Sequence, residues 1–208
     1  MTQIAARTEE IHALTEAQSG LWYAQRLDPT NPLFNTGQYI EIAGALDLAA
    51  FKAAVDKAVA EADALALRIV EQNSEPRQYV DESRRPWLEI VDLSADPAPR
   101  ETALAAIAAD SNTPLDPTRD PLAAERLYIL EPQRFIWYQR IHHLATDGYG
   151  TMLLTRRIAE LYEKGTGAGE TLVPLTAALD EDATYRRSER RAADAAYWRE
   201  TLTGLPDS

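Results

Sequence analysis

A β-hairpin is the feature that most constrains what this chain can fold into. Residues 124–130 and 134–141 are both strand-like, and the short polar segment Glu131-Pro132-Gln133 separates them. Two such runs joined by a short polar turn predict a pair of antiparallel strands. The second run is rich in aromatic and β-branched side chains, and it leads directly into two adjacent histidines, His142 and His143. We therefore expect the hairpin to carry these histidines at the end of a strand.

Helix-like and strand-like segments are interspersed along the rest of the chain. Thr15 and Asp47 each suit the N-cap of a following helix, and a glycine-rich segment after Lys164 is the one candidate boundary. Further strands are predicted at residues 38–42, 65–70, 77–80 and 88–91, and helices at 15–27, 47–62, 99–110, a segment ending near 164, and 183–202. This pattern predicts an α/β fold, an α+β two-layer sandwich in which helices flank a mixed β-sheet.

The composition excludes several classes of protein. Cysteine is absent, so disulfide frameworks, thiolate nucleophiles and cysteine-ligated metal sites are excluded. The formal net charge of −12 argues against a nucleic-acid partner, because phosphate backbones are bound mainly by clustered Lys and Arg. No apolar run approaches the ~20 residues that span a bilayer, and residues 1–7 lack the apolar core of a signal peptide. We therefore expect a cytoplasmic protein with no membrane or nucleic-acid partner.

The adjacent histidines are the leading candidates for chemistry. Neighbouring side chains on a strand point to opposite faces of the sheet, so His143 shares a face with Ile141 and Gln139, whereas His142 does not. Asp147 follows closely and can hold the local turn together. Gly148 permits a positive φ or a close backbone approach, and its N–H can point to the start of the next helix.

Three interpretations of this segment remain open from the residues alone. The two rings can be core or turn residues that backbone hydrogen bonds satisfy. A metal site would need more ligands on one side, but adjacent histidines diverge and His12 is distant in sequence. In the third interpretation one imidazole acts as a base or hydrogen-bond partner.

The pattern His142-His143-x-x-x-Asp147-Gly148 resembles the active-site signature of the condensation domains of nonribosomal peptide synthetases. The resemblance extends in order along essentially the whole chain. Residues 14–22 are similar to the opening helix of the family, and residues 196–206 to the segment that follows its first lobe. Residues 62–68 occupy the place of a motif that is usually His-Glu-x-Leu-Arg, with Ala62-Asp63 instead of His-Glu. Residues 137–143 are similar to the domains that open siderophore synthetases acting on an aryl-capped donor.

The resemblance implies a chloramphenicol-acetyltransferase-like fold. Condensation domains resemble two such lobes in tandem, and the motifs of the second lobe are absent here. We therefore expect residues 1–175 to form the N-terminal lobe and residues 176–208 to form a helix that connects it to a missing C-terminal lobe. An isolated lobe is expected to have little or no activity, because the tunnel needs a second wall.

The resemblance also implies a reaction, the formation of an amide bond between an upstream acyl or peptidyl thioester and a downstream aminoacyl thioester. The implied partners are the upstream and downstream carrier domains, the C-terminal lobe and the adenylation domain of the same synthetase. Phosphopantetheine arms of the carriers bring both substrates. No directly bound cofactor and no metal is expected.

By the same resemblance, His143 faces the tunnel and removes a proton from the attacking amine or holds that amine in line. The Gly148 N–H stabilises the oxyanion, and His142 and Asp147 have structural roles. We expect Asp147 to pair with Arg68, which ends an apolar strand. The expected substrate-tunnel residues are Gln18, Trp22 and Tyr149.

Two other functions remain possible from the sequence. The chain can be a free-standing acetyltransferase-like acyltransferase in which a trimer supplies the missing wall. It can also be a lobe that docks carrier domains without catalysis. The donor acyl group and the acceptor amino acid are left open.

Overall fold

A computed structural model describes residues 10–204, so residues 1–7, discussed above for a signal peptide, and residues 205–208 lie outside the described part. No helix within residues 10–204 is long and apolar enough to cross a membrane. The helices are α1 (Glu16–Leu27), α2 (Leu48–Glu61), α3 (Pro99–Ser111), α4 (Gly148–Lys164), α5 (Leu175–Arg186) and α6 (Glu189–Thr201). The strands are β1 (His12–Ala13), β2 (Asn35–Ala43), β3 (Leu67–Gln72), β4 (Glu75–Val80), β5 (Leu88–Asp92), β6 (Ala123–Glu131) and β7 (Arg134–His142).

The main sheet has the strand order β2-β7-β6-β5, and a smaller sheet has the order β1-β4-β3. The hairpin is confirmed, because β6 and β7 are antiparallel with Leu127 opposite Trp137. Strand β5 runs parallel to β6, whereas β2 is antiparallel to β7, so the sheet is mixed. The last eight residues of β7 are all buried, which places the strand leading to the histidines at the centre of the molecule.

Helices cover the main sheet on both faces. The side chains of Trp137 and Ile141 pack with α2 and α4, whereas Ile136 and Tyr138 pack with α3. This division follows from the alternation of side chains along β7. A third cluster joins α1 to the smaller sheet and includes Leu144, just after the histidines. The predicted α/β fold with a mixed sheet flanked by helices is confirmed.

The predicted N-caps of α1 and α2 are both formed. The Thr15 hydroxyl accepts a hydrogen bond from the Gln18 N–H at 3.1 Å, and the Gln18 side chain accepts one from the Thr15 N–H at 2.9 Å. One Asp47 carboxylate oxygen accepts bonds from two N–H groups in the first turn of α2. These contacts, which are reciprocal only at Thr15, satisfy donors that have no partner inside the helix.

Two element boundaries differ from the sequence prediction. The predicted strand from Leu65 starts at Leu67, because a 3₁₀ turn (Asp63–Ala66) precedes it. The predicted final helix is two helices, since the Ser188 hydroxyl accepts a hydrogen bond from the Arg191 N–H and so caps a new helix, α6. Neither α5 nor α6 contains a buried side chain. Polar contacts such as the 2.7 Å ion pair between Arg191 and Glu16 attach them to α1.

Candidate active site

The two histidines continue the ladder of the main sheet in opposite directions. The His142 N–H donates to the Leu122 carbonyl oxygen before β6, and the His143 N–H donates to the Phe34 carbonyl oxygen before β2, both at 2.8 Å. A backbone that alternates its donors in this way is extended, so the two rings lie on opposite faces. The predicted separation of the pair therefore follows from the strand geometry.

His142 is locked in the interior as a neutral imidazole. It is 1% exposed, and its Nδ1 accepts a hydrogen bond from the Leu144 N–H at 3.1 Å. Nδ1 is thus the acceptor, and the proton of the neutral ring is on Nε2. Burial lowers the pKa of His142 to about 4, and the neighbouring His143 and Arg140 act in the same direction. The ring therefore fixes the loop after β7 and carries no charge near neutral pH.

His143 is half-buried and is the ring of the pair that solvent reaches. It shares its face of the sheet with Ile141 and Gln139. The residues that follow turn sharply into α4, so His143 lies just before a helix N-terminus. Its partial exposure leaves the imidazole available for contact with a bound molecule.

Asp147 caps α4 and organises the turn after His143. Its Oδ1 accepts a hydrogen bond from the Gly150 N–H at 2.8 Å, and its carbonyl oxygen accepts one from the Thr151 N–H at 3.0 Å. Gly148 is the first residue of α4, where an N–H has no acceptor within the helix and the helix dipole favours negative charge. The cap thus leaves the Gly148 N–H directed away from the helix body.

The two glycines of this turn serve different needs. Gly148 has no positive φ, and a Cβ built on it would meet no atom within 4 Å. The described residues therefore explain this glycine neither by a left-handed backbone nor by a close approach of another segment. Gly150 is the glycine of this turn at which a side chain would meet a neighbour, because a Cβ there would collide with Oγ1 of Thr146 unless that hydroxyl rotated. Sequence reasoning missed Gly150, although its spacing two residues after Gly148 was visible.

Gln18 and Trp22 support the loop from inside the molecule. Gln18 Nε2 donates to the Leu144 carbonyl oxygen at 2.9 Å, and Gln18 exchanges two further bonds with the buried side chain of Gln78. Trp22 is 3% exposed in the cluster that contains Leu144. The tunnel positions expected for Gln18 and Trp22 are therefore wrong, since both side chains are enclosed by packing. Tyr149 is exposed at the start of α4, and its place in a tunnel stays a prediction.

The expected pair between Arg68 and Asp147 is also wrong. Arg68 Nη1 lies 3.3 Å from Oδ2 of Asp81, and its Nε donates to the Thr118 carbonyl oxygen. The pairing of β3 with β4 explains this choice, because Arg68 lies opposite Tyr79 and the chain turns at Asp81 immediately beyond β4. Asp147 is exposed, and its Oδ1 accepts the hydrogen bond that caps α4.

A buried carboxyl on the His143 face of the sheet was not foreseen. Glu125 accepts hydrogen bonds from Trp137 Nε1 and Gln139 Nε2, each at 2.9 Å. The side-chain Oε1 of Gln139 in turn accepts bonds from Gln38 Nε2 and the Thr155 hydroxyl. Burial raises the pKa of Glu125 to about 7 and outweighs the opposing effect of its two hydrogen bonds. Within residues 10–204, no group of three His, Asp or Glu side chains is arranged to hold a metal ion.

An apolar pocket of about 460 Å³ adjoins this loop. Ile141 lies on its wall before the histidines, and Ala145 and Thr146 lie on it after them. Helix α4 contributes Gly150, Leu153 and Leu154. The rest of the wall comes from residues 62–65 and from residues 171–175 with Ala178. The segment that carries His143 is thus also one side of a cavity.

A family model described as Condensation domain matches residues 8–208. The chain belongs to the condensation-domain family. Over 94% of its length, the chain is 40% identical to a dimodular nonribosomal peptide synthase of Bacillus subtilis, and over 93% it is 34% identical to enterobactin synthase component F of Escherichia coli. It covers only 8% and 15% of those two proteins, respectively.

Solved condensation domains have the same fold. The starter condensation domain of rhizomide synthetase, in complex with C8-CoA and Leu-SNAC, superposes with a TM-score of 0.86 at 33% identity over 95% of this chain. The first condensation domain of the calcium-dependent antibiotic synthetase superposes with a TM-score of 0.79 at 30% identity. This member of the condensation-domain family spans about half the length of those two solved chains, 46% and 48% respectively.

Proposed function

We propose that this chain is the N-terminal lobe of a condensation domain that forms an amide bond between two carrier-bound thioesters. The observation that carries the proposal is the different environment of the two adjacent histidines. His142 is buried, neutral and bonded to the loop, whereas His143 is accessible beside the N-terminus of α4. Family membership favours this function over a free-standing acetyltransferase-like trimer.

In the proposed reaction, the amine nitrogen of the downstream aminoacyl thioester attacks the carbonyl carbon of the upstream acyl thioester. The new C–N bond forms, the C–S bond of the donor breaks, and the proton lost by the amine balances the departing thiolate. His143 receives that proton or holds the amine in line. A free α-amino group has a pKa of about 7.7–8.0, so a useful neutral fraction exists near neutral pH and positioning supplies much of the effect.

The Gly148 N–H is the proposed donor to the oxyanion that develops on the donor carbonyl. Gly148 lies at the first position of α4, where its N–H is free of the helix and the dipole favours negative charge. The open space where a side chain would be is consistent with a substrate that approaches this backbone closely.

The proposed partners follow from this reaction. Carrier domains upstream and downstream present the substrates on phosphopantetheine arms, and a C-terminal lobe and an adenylation domain belong to the same synthetase. We propose residues 1–175 as the lobe and residues 176–208 as the connection to its second half. The rhizomide synthetase domain, solved with an acyl-CoA and an aminoacyl thioester analogue, supports the use of two thioesters.

The test of His143 uses the full synthetase with both carriers loaded, and it measures amide formation in a single turnover. His143→Ala should lower the rate by at least ~100-fold, as expected for loss of a general base or a positioning group. His12→Ala, a histidine of β1 outside the signature, is the matched control and should leave the rate unchanged. A His143→Ala variant as fast as the parent would refute the assignment. A parent that binds both carriers but never forms the amide would instead indicate a docking lobe.

A second experiment isolates the Gly148 N–H. Proline suits the first position of a helix, and Asp147 already has the extended conformation that a residue before proline needs, with φ −105° and ψ −175°. Gly148→Pro should therefore fold normally yet lower the single-turnover rate by about 100- to 1,000-fold, because it removes one oxyanion donor. Gly148→Ala, which retains the N–H, separates loss of the donor from added bulk. Equal rates in the proline variant and the parent would exclude the donor role.

A further inference from the structure

A cavity of about 380 Å³ is lined by three neighbouring strands of the main sheet, β5, β6 and β7, and by the segment before β5. Its volume lies within the range of roughly 300–1,000 Å³ that small-molecule sites occupy. None of the described residues that line it belongs to the histidine signature or to the wall of the apolar pocket beside the signature. The cavity is therefore a candidate site that the proposed reaction does not use.

Arg140 of β7 lines this cavity with a guanidinium that is only partly satisfied. Its side chain is 7% exposed, and its Nε donates a hydrogen bond to Oδ2 of Asp110 at 2.7 Å. Its Nη1 is buried, and no described residue accepts a hydrogen bond from that nitrogen. A guanidinium stays charged in a protein, so an N–H group left unpaired in the interior loses its hydration without compensation. An acceptor on a bound molecule would supply the missing hydrogen bond.

The neighbours of Arg140 on β6 leave space beside it and do not neutralise it further. Ala124 lies directly opposite Arg140 in the strand pairing and also lines the cavity, so a small side chain faces the guanidinium. Arg126 already has two partners, because it lies 2.8 Å from Glu89 and 3.0 Å from Asp110. Asp110 is thus shared between two arginines, and Arg140 is the one that retains an open donor.

The other charged residues of the wall favour an occupant with a single negative charge. Arg84 and Arg85 already lie 3.8 Å and 2.6 Å from carboxylate oxygens, respectively. Glu89 and Glu125 also line the cavity. Their carboxyl groups repel a dianion more strongly than a monoanion, because the Coulomb energy is proportional to the charge. A carboxylate therefore suits this cavity better than a phosphate does.

The rest of the wall offers a flat apolar surface. Trp87 is 69% exposed, and Pro86 and Pro121 line the cavity with it. An aromatic ring packs well against an indole in an offset-stacked or edge-to-face arrangement. A ligand that combines a carboxylate with an aromatic ring would use both the charged and the apolar part of the wall.

We propose that this cavity binds a small aromatic carboxylate, with its carboxylate on Arg140 and its ring against Trp87. The inference goes beyond amide formation and does not depend on it. A hydrogen bond to a charged group changes affinity by about 10- to 100-fold. Phenylacetate should therefore bind with a Kd below about 1 mM, as expected for a ligand of its size. Phenylacetamide, which has the same shape without the charge, should bind at least about tenfold more weakly.

The test measures binding of phenylacetate, phenylacetamide and phenyl phosphate to the 208-residue chain by calorimetry near neutral pH. Trp87→Ala should weaken phenylacetate binding at least about threefold through loss of the ring contact. Trp198→Ala is the matched control, because Trp198 is likewise an exposed tryptophan but lies on α6, away from the cavity wall. It should leave the affinity unchanged. Phenyl phosphate should bind more weakly than phenylacetate.

Two further variants address the charged end of the cavity. Arg140→Lys retains a positive charge for Asp110 but lacks the guanidinium, so it should weaken phenylacetate binding at least about tenfold. Ala124→Leu should do the same by filling the space beside Arg140. Ala43→Leu, at an exposed strand position that does not line this cavity, is its matched control and should bind as the parent does.

Several outcomes would overturn the inference. Equal affinities for phenylacetate and phenylacetamide would exclude a charge-assisted bond to Arg140, and tighter binding of phenyl phosphate would exclude the carboxylate class. Binding that neither Trp87→Ala nor Ala124→Leu weakens would be adventitious. The same titrations with the full synthetase should show the same effect of Trp87→Ala. An effect in the 208-residue chain alone would mean that another part of the polypeptide fills the cavity.

Discussion

Replacing Glu125 with glutamine tests the electrostatics of the sheet interior. This carboxyl is fully buried between Trp137 and Gln139, both of which donate hydrogen bonds to it, and its pKa rises from 4.5 to about 7. Each pKa unit corresponds to 1.36 kcal/mol. The folded state therefore favours the protonated carboxyl over the ionised one by about 3 kcal/mol more than the unfolded chain does. The folded protein therefore binds this proton more tightly than the unfolded chain does.

The sign of the pH dependence follows from this difference. The contribution of Glu125 to stability is fully present below about pH 4.5 and is lost as the pH rises through about 7. His142 acts in the opposite direction, because its pKa falls from 6.5 to about 4 and its contribution is lost as the pH falls through that range. The two contributions offset each other in the parent between about pH 4.5 and 6.5. In the Glu125→Gln variant this offset is lost, so the free energy of unfolding should rise with pH over this range because of His142.

The assay is urea unfolding of the 208-residue chain across about pH 4 to 8. The free energy of unfolding of the parent minus that of Glu125→Gln should fall by about 3 kcal/mol as the pH rises from 4.5 to 8. Glu131→Gln, at the exposed end of the same strand, is the control and should give a curve parallel to the parent. Parallel curves for parent and Glu125→Gln would refute the raised pKa.

Three further predictions concern the framework of the site, and urea unfolding checks each. Asp147→Ala should cost about 1 kcal/mol through loss of the cap, and Asp147→Ser should restore most of it; equal stability of both to the parent would contradict the cap. Gly150→Ala should cost about 1–3 kcal/mol, and adding Thr146→Ala should relieve this clash; no relief would contradict it. Arg157→Met should cost about 1–3 kcal/mol, because Glu61 loses the guanidinium that binds both its oxygens but keeps Lys57 and the Leu172 N–H; unchanged stability would contradict the pair.

The parts of the fold that sequence reasoning found are those that local rules decide. The hairpin, the caps at Thr15 and Asp47, and the division of the two histidines between faces all depend on neighbours within a few residues. The break at Ser188 was missed although it is also local. A serine within a helical pattern is compatible either with continuation or with a new N-cap, and the hydrogen bond to the Arg191 N–H decides between them.

The assignments that failed depend on contacts between distant segments. The chain has 33 acidic residues, and nothing local indicates which of them lies beside Arg68; the strand pairing that brings Asp81 close decides it. Trp22 and Gln18 lie on the apolar side of a helix, and such a side can face a core or a substrate channel. Only the packing of α1 against the loop after β7 shows that both are enclosed. The buried state of Glu125 is likewise a property of the assembled sheet.

Two adjacent histidines can combine a fixed backbone with an accessible imidazole, which a single histidine at this position could not do. A ring that must meet substrate has to lie on a segment that does not move, yet the chain turns immediately after His143 into a helix. His142 supplies the anchor, because its Nδ1 holds the Leu144 N–H and its ring is packed beside Phe34. Burial keeps His142 neutral, so the anchor adds no positive charge behind His143, for which we propose a role at the attacking amine. The strand alternation that separates the rings thus lets one histidine be buried and uncharged while its neighbour remains accessible.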